Sequence, residues 1–94
     1  MIKSFKHKGL ENFYTTGSTK GIQAMHAHKI SKILAIMTCL TTINDLNSPA
    51  YRLHPLRGDL KDYWSVTVQA NWRIIFQYDD VSKDVYVVDY LDYH

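Results

Sequence analysis

Several side chains of this sequence could transfer protons or bind an anionic group. His54 ends an extended segment just before Pro55, and Arg73 lies on the polar side of an alternating stretch. A histidine exchanges protons near neutral pH, and arginine presents planar donors that suit phosphate oxygens. The run Asp92-Tyr93-His94 adds three polar-tipped side chains where core packing does not call for them. These residue types suit acid–base chemistry at a phosphate.

Each of these residues also has an ordinary structural explanation. His54 is compatible with a plain strand end, and Arg73 could form a cross-strand ion pair with Asp89 or Asp92. His94 closes the sequence, and chain ends are commonly frayed. The residue types alone therefore leave catalysis and plain structure both open.

Two helices are predicted in the first half of the sequence. A short N-terminal strand over Met1–Phe5 precedes a short helix over His7–Thr16, which we expect to end at Gly17. A longer helix is expected over Gln23–Ile43, because its apolar residues recur at steps of three and four. Its apolar face consists of Ile30, Ile33, Leu34, Met37 and Leu40.

The second half changes to the two-residue period of β-strands. Tyr51–Leu56 suits an edge strand or a strand end, and central strands are predicted over Tyr63–Gln69 and Trp72–Tyr78. A hairpin at residues 79–84 leads to the last strand, Val85–Tyr90. The predicted fold class is α+β, with two N-terminal helices packed on one face of a twisted antiparallel sheet.

The composition restricts the class of protein further. Ninety-four residues with 46% hydrophobic content predict a single globular domain over residues 1–94. The longest apolar stretch, around Ile33 to Leu40, is much shorter than a membrane span, and we expect neither a membrane segment nor a signal peptide. The lone Cys39 fits a reducing cytoplasm. His26 and His28 lie two apart on a helix and do not face each other, so we expect no metal site there.

Blocks spread over the whole chain, in the expected order, resemble the HigB toxins of the RelE/ParE superfamily. The matching blocks are Met1-Ile2-Lys3-Ser4-Phe5, Leu53-His54-Pro55-Leu56-Arg57-Gly58-Asp59, Tyr63-Trp64-Ser65-Val66-Thr67-Val68, Asn71-Trp72-Arg73-Ile74 and Asp92-Tyr93-His94. The resemblance implies a RelE-like microbial RNase fold and a type II toxin–antitoxin system.

The activity implied by this resemblance is ribosome-dependent cleavage of messenger RNA in the A site, without a metal or other cofactor. The 2′-hydroxyl attacks the adjacent phosphorus and leaves a 2′,3′-cyclic phosphate and a 5′-hydroxyl. The resemblance assigns catalysis to His54, Arg73, Asp92, Tyr93 and His94. Such cleavage needs a base, an acid and positive charge at the phosphorane oxygens, which these residue types provide. Their order of action as base and acid stays open.

Positive charge is concentrated in the N-terminal half, which suits a polyanionic partner such as nucleic acid, although charge alone favours the alternative of a solvated helical surface. The residues predicted to bind RNA are Arg57, where relatives often carry lysine, with Lys20, Lys29 and Lys32. The resemblance also implies a HigA-like helix-turn-helix antitoxin, contact with operator DNA only through that antitoxin, and the small ribosomal subunit with its message as target. The alternatives are a non-catalytic ParE-like toxin that inhibits DNA gyrase, and a protein that binds its antitoxin but has lost activity.

Overall fold

A computed structural model describes residues 1–92 of the chain, beginning with a short capped helix. Helix α1 spans Lys8–Thr16. Its first turn is capped by His7, whose Nδ1 accepts the backbone N–H of Leu10 at 3.0 Å. Gly17 ends it with φ +81° and donates its N–H to the Phe13 carbonyl at 2.9 Å, a left-handed conformation that glycine adopts without a Cβ clash. The predicted helix and its glycine end are confirmed.

Helix α2 spans Ala27–Thr38 and follows a 3-10 turn over Ala24–His26. Its buried face packs onto the sheet and consists of Ile30, Ile33, Leu34 and Met37, as predicted. The predicted extension of this helix to Ile43 is wrong, because α2 ends at Thr38. Leu40 is still buried, but it lies beyond the helix.

Local hydrogen bonds to an aspartate explain the early end of α2. Asp45 Oδ2 accepts the backbone N–H groups of Thr41 and Thr42 at 3.0 and 3.4 Å, and it also accepts the Thr41 hydroxyl. Such bonds compete with helical pairing, and here they lead into a 3-10 turn over Ile43–Leu46. The backbone bond from Thr41 is also the main reason that the pKa of Asp45 lies below its ordinary value.

Four antiparallel strands form the sheet, in the order β1-β2-β3-β4. Strand β1 is His54–Pro55, β2 is Trp64–Gln69, β3 is Trp72–Asp79 and β4 is Asp84–Asp92. The first strand is shorter than predicted because Arg52 adopts φ +50° and so leaves the extended conformation before His54. The helix-facing side forms the core with α1 and α2; its buried sheet residues are Val66, Val68, Ile74, Phe76, Val85, Val88 and Tyr90.

The N-terminal segment adds to the far edge of the sheet, beside β4. Ile2 and Phe5 form parallel bridges with Val85 and Val88, which confirms that the start of the chain joins the sheet. A bulge lies in this part of β4, where Val87 adopts φ +49°. In the part of the chain the structure describes, neither helix has the length and apolar character needed to cross a membrane.

Candidate active site

His54 lies at the exposed edge of the sheet, and within residues 1–92 one of its ring nitrogens has no hydrogen-bond partner. It pairs with Ser65 of β2, so its side chain belongs to the sheet face opposite the helices. Its Nδ1 lies 2.9 Å from the Arg52 carbonyl oxygen. A carbonyl only accepts, so Nδ1 carries the proton and, in the neutral ring, Nε2 carries the lone pair. This arrangement gives His54 a nitrogen that can accept a proton.

Arg73 lies on the same outer face, in the middle of the sheet. It pairs with Thr67 of β2, two residues along the strand from the Ser65 that pairs with His54. Strand and residue spacings place the His54 and Arg73 Cα atoms about 12 Å apart. The Arg73 side chain turns toward the β2–β3 turn, where its Nη1 donates to the Ala70 carbonyl at 2.6 Å. The two predicted catalytic residues therefore share a face without direct contact.

A basic recess opens beside Arg73. It has a volume of about 430 Å³, and its lining residues are Lys29, Pro49, Ala50, Arg52, Thr67, Val68, Gln69, Ala70 and Arg73. Among residues 1–92, three of the residues that line this recess are cations and none is acidic. Lys29 is held by the Ala50 carbonyl at 2.8 Å and lies 5.6 Å from the centre of the Tyr51 ring. The hydroxyl of Thr67 is buried and has no hydrogen-bond partner within the same described range. This recess has the charge and donors to bind a phosphate.

Arg52 is a member of the basic recess that the sequence analysis missed. It stands two residues before His54, and in an extended segment that spacing places two side chains on one face. The alternation of Tyr51-Arg52-Leu53-His54 could not have located it, because Arg52 itself is not extended. Its backbone has φ +50°, a left-handed conformation that ends the extended geometry just before β1.

Among residues 1–92, the other residues predicted for the site do not line the basic recess. Asp92 pairs with Trp72, so its side chain lies on the helix-side face, whereas Arg73 lies on the outer face. The alternative explanation of a cross-strand ion pair between Arg73 and Asp92 is therefore wrong. The predicted catalytic residues Tyr93 and His94 lie outside the described residues. Arg57, Lys20 and Lys32 are exposed, and none of them lines the basic recess.

His26 is buried and joins the helices to the end of β2. Its Nε2 lies 2.8 Å from Gln69 Oε1, which only accepts, so Nε2 is the protonated nitrogen. Its Nδ1 accepts the Tyr90 hydroxyl at 2.7 Å. Burial raises the pKa of Tyr90, while a hydrogen bond from the Gln23 backbone N–H to its oxygen partly opposes the shift. His28 is exposed, so the two histidines point to different surroundings. No group of three or more His, Cys, Asp or Glu side chains that could hold a metal occurs among residues 1–92.

The fold is shared with solved structures of other bacterial proteins. It is similar to a YoeB/ParE toxin from Agrobacterium tumefaciens, with a TM-score of 0.65 and 16% sequence identity, covering 99% of this chain and 98% of that one. It is also similar to YafQ from E. coli, with a TM-score of 0.62 and 18% identity, covering 93% and 86% of the two chains. These likenesses confirm the predicted α+β fold with helices on one face of an antiparallel sheet.

Sequence comparison identifies the family within that fold. Residues 3–94 match the family described as RelE-like toxin of type II toxin–antitoxin system HigB. The chain is 48% identical to Endoribonuclease HigB of Proteus vulgaris over the full length of both proteins. It is 32% identical to Toxin HigB-1 of Vibrio cholerae over 93% of this chain and 95% of that protein. The chain therefore belongs to the HigB-like family of type II toxins, whose counterpart is an antitoxin, and the predicted resemblance is confirmed.

Proposed function

We propose that this toxin is an endoribonuclease that cleaves messenger RNA in the ribosomal A site. The observation that carries the proposal is the basic recess, because it gathers Arg73, Arg52 and Lys29, and Arg73 lies on the sheet face that also carries His54. The name of the Proteus relative, an endoribonuclease, supports the same activity. A site with three cations is suited to a polyanionic strand and to stabilising the extra charge of a phosphorane.

The proposed reaction is metal-free transfer within the RNA. His54 Nε2 takes the proton of the 2′-hydroxyl, whose oxygen then forms a bond to the adjacent phosphorus. The bond from phosphorus to the 5′-oxygen breaks, and that oxygen receives a proton from His94, leaving a 2′,3′-cyclic phosphate and a 5′-hydroxyl. Arg73 binds the non-bridging oxygens, and Tyr93 stacks on a base or donates to phosphate. Asp92, which pairs with Trp72 on the opposite face, takes an orienting role only.

Residues outside the recess extend the proposed contact with RNA. Arg57, Lys20 and Lys32 are exposed cations available to messenger or ribosomal RNA, and Lys29 contributes from within the recess. The proposed partner is a HigA-like helix-turn-helix antitoxin, which alone links the toxin to operator DNA. The proposed place of action is the cytoplasm, at the small ribosomal subunit.

The test is to map 5′-hydroxyl ends on a ribosome-bound message with purified wild-type and variant proteins. We expect cuts within the A-site codon, slowed about 100- to 1000-fold by Arg73→Ala and by His54→Ala, which remove charge stabilisation and the base. Lys61→Ala is the control, because this exposed lysine lies outside the recess. A folded, growth-arresting wild type that makes no cuts would contradict the proposal and favour a ParE-like inhibitor of DNA gyrase.

A further inference from the structure

We propose that His26 and Gln69 are positioning residues for Arg73, which they serve by fixing the turn between β2 and β3. The turn consists of Ala70 and Asn71, and Arg73 Nη1 donates to the Ala70 carbonyl at 2.6 Å and to the Trp72 carbonyl, just after the turn, at 3.5 Å. Any shift of these carbonyls therefore shifts the guanidinium. The proposal rests on the proposed function insofar as Arg73 is the phosphate-binding cation.

His26 reaches both sides of this turn. Before the turn, Gln69 Oε1 accepts the His26 Nε2–H at 2.8 Å. After the turn, the Trp72 ring meets the edge of the His26 ring with centroids 5.7 Å apart. Trp72 also stacks on Tyr90 at 4.7 Å, and the Tyr90 hydroxyl donates to the other His26 nitrogen. A single buried imidazole thus contacts the residues that flank the turn.

The turn itself needs outside support. Ala70 has φ +51°, a left-handed conformation that is strained for a residue with a Cβ, and it is exposed to solvent. The ladder shifts register between Thr67 and Gln69, so the Gln69–Trp72 pair that closes the turn is offset from the regular pairing of the two strands. The Gln69 side chain, exposed as a whole, places its one acceptor on a histidine that is 3% exposed. That bond anchors an exposed, strained segment to the core.

The test compares Gln69→Met with wild type in steady-state cleavage of a ribosome-bound message. Methionine keeps the length of the side chain but cannot accept the His26 N–H. We expect kcat to fall about tenfold or more, because small errors in the position of a reacting group cost that much or more, while KM changes less than twofold. In the free, isotope-labelled protein we also expect the NMR signals of the Arg73 guanidinium to shift and its protons to exchange faster.

Two further variants separate positioning from plain stability. Gln23→Met makes the same substitution at an exposed glutamine whose side chain does not cap the neighbouring turn, and we expect wild-type cleavage and Arg73 signals. Tyr90→Phe removes the hydroxyl on the opposite side of His26 but keeps the ring that stacks on Trp72. We expect it to lower the unfolding midpoint more than Gln69→Met does, yet to retain more cleavage.

If the loss of cleavage instead follows the loss of stability, so that Tyr90→Phe cleaves less RNA than Gln69→Met, the proposal is overturned. Unchanged kcat and unchanged Arg73 signals in Gln69→Met would overturn it as well. If the wild type cleaves no RNA, the NMR comparison decides alone: a shifted Arg73 signal in Gln69→Met supports positioning, and an unshifted one refutes it. Failure of the nuclease proposal and failure of this inference therefore give different results.

Discussion

At the scale of a single residue, Tyr90 links protonation to folding. Burial of its hydroxyl raises its pKa above the ordinary value of 10.0, because the tyrosinate form loses hydration in the folded protein. The unfolded chain therefore releases this proton at a lower pH than the folded chain. Between the two pKa values the folded state binds more protons, so the free energy of unfolding falls as pH rises.

We expect the stability contributed by Tyr90 to be fully present below pH 10 and to decline above it. The measurement is urea denaturation of wild type and Tyr90→Phe over a series of alkaline pH values. The two proteins differ only at residue 90, so the difference between their denaturation curves isolates Tyr90. Wild type should lose its advantage over the variant as pH rises past 10, and parallel curves would contradict the assignment.

Single residues of the site were predictable only in part. The types of His54, Arg73 and Lys29 indicated their chemistry, and the structure gathers Arg73 and Lys29 in one recess. His26 was considered only as a metal ligand, although it stands four residues before Ile30, on the buried side of the helix. Its partner Gln69 is distant in sequence, so the network could not be read from local spacing.

At the scale of the element, the β3–β4 hairpin stores strain at its last turn residue. Lys83 adopts φ +64° and donates its N–H to the Asp79 carbonyl at 2.7 Å. Asp79 Oδ1 also accepts the Val81 N–H at 2.9 Å, and this bond is the main reason that its pKa lies below the ordinary value. The turn requires a left-handed backbone conformation at this position, yet the residue there is a lysine.

We expect Lys83→Gly to raise the free energy of unfolding by about 0.5–1 kcal/mol, because glycine adopts a positive φ without a Cβ clash. The exposed ion pair from Lys83 to Asp80 that is lost contributes little. Val81→Gly is the matched control, since Val81 is 92% exposed and lacks a positive φ. It should destabilise the protein by a similar amount through lost backbone entropy. Urea denaturation measures both, and a loss of stability in Lys83→Gly would refute the strain argument.

The positions of helices and strands were predicted well where apolar periodicity determines them. They were predicted poorly where hydrogen bonds of polar side chains determine where an element ends. The two central strands and α1 match their predicted positions closely, because alternation and a glycine end are strong local signals. The end of α2 was missed, because Asp45 forms bonds to threonines that compete with the helix. The bulge at Val87 was not predictable, because a valine with positive φ contradicts its own preference and is held by tertiary contacts.

At the scale of the whole molecule, the N-terminal segment closes the sheet edge at β4. The Lys3 N–H donates to the Val85 carbonyl at 2.7 Å, and the Ser4 hydroxyl accepts the Val87 N–H at 2.8 Å, just at the bulge. An unpaired edge strand is a template for association with other chains. The other edge, β1, is only two residues long and contains a proline, so it offers little for pairing.

We expect Lys3→Pro to lower the free energy of unfolding by about 1–3 kcal/mol, since it removes the edge N–H and leaves a buried carbonyl without its donor. It should also promote self-association through the exposed β4 edge. Lys8→Pro removes the same charge at the first position of α1, where proline is tolerated, and should be nearly neutral. Denaturation and light scattering test both. Equal stability and a monomeric state for the two variants would contradict the edge argument.

Pairing between the first residues and β4 also sets an order of events during synthesis. The contact between Ser4 and Val87 spans 83 positions, and ribosomes add about 5–20 residues per second, so the N-terminal segment waits on the order of 10 s for its partner. Val85, Val88 and Tyr90, all in the core, arrive in the same late stretch. A nascent chain cannot complete this sheet beforehand. The fold is thus completed only after β4 has been translated, so a nascent chain that still lacks β4 cannot present the assembled sheet face.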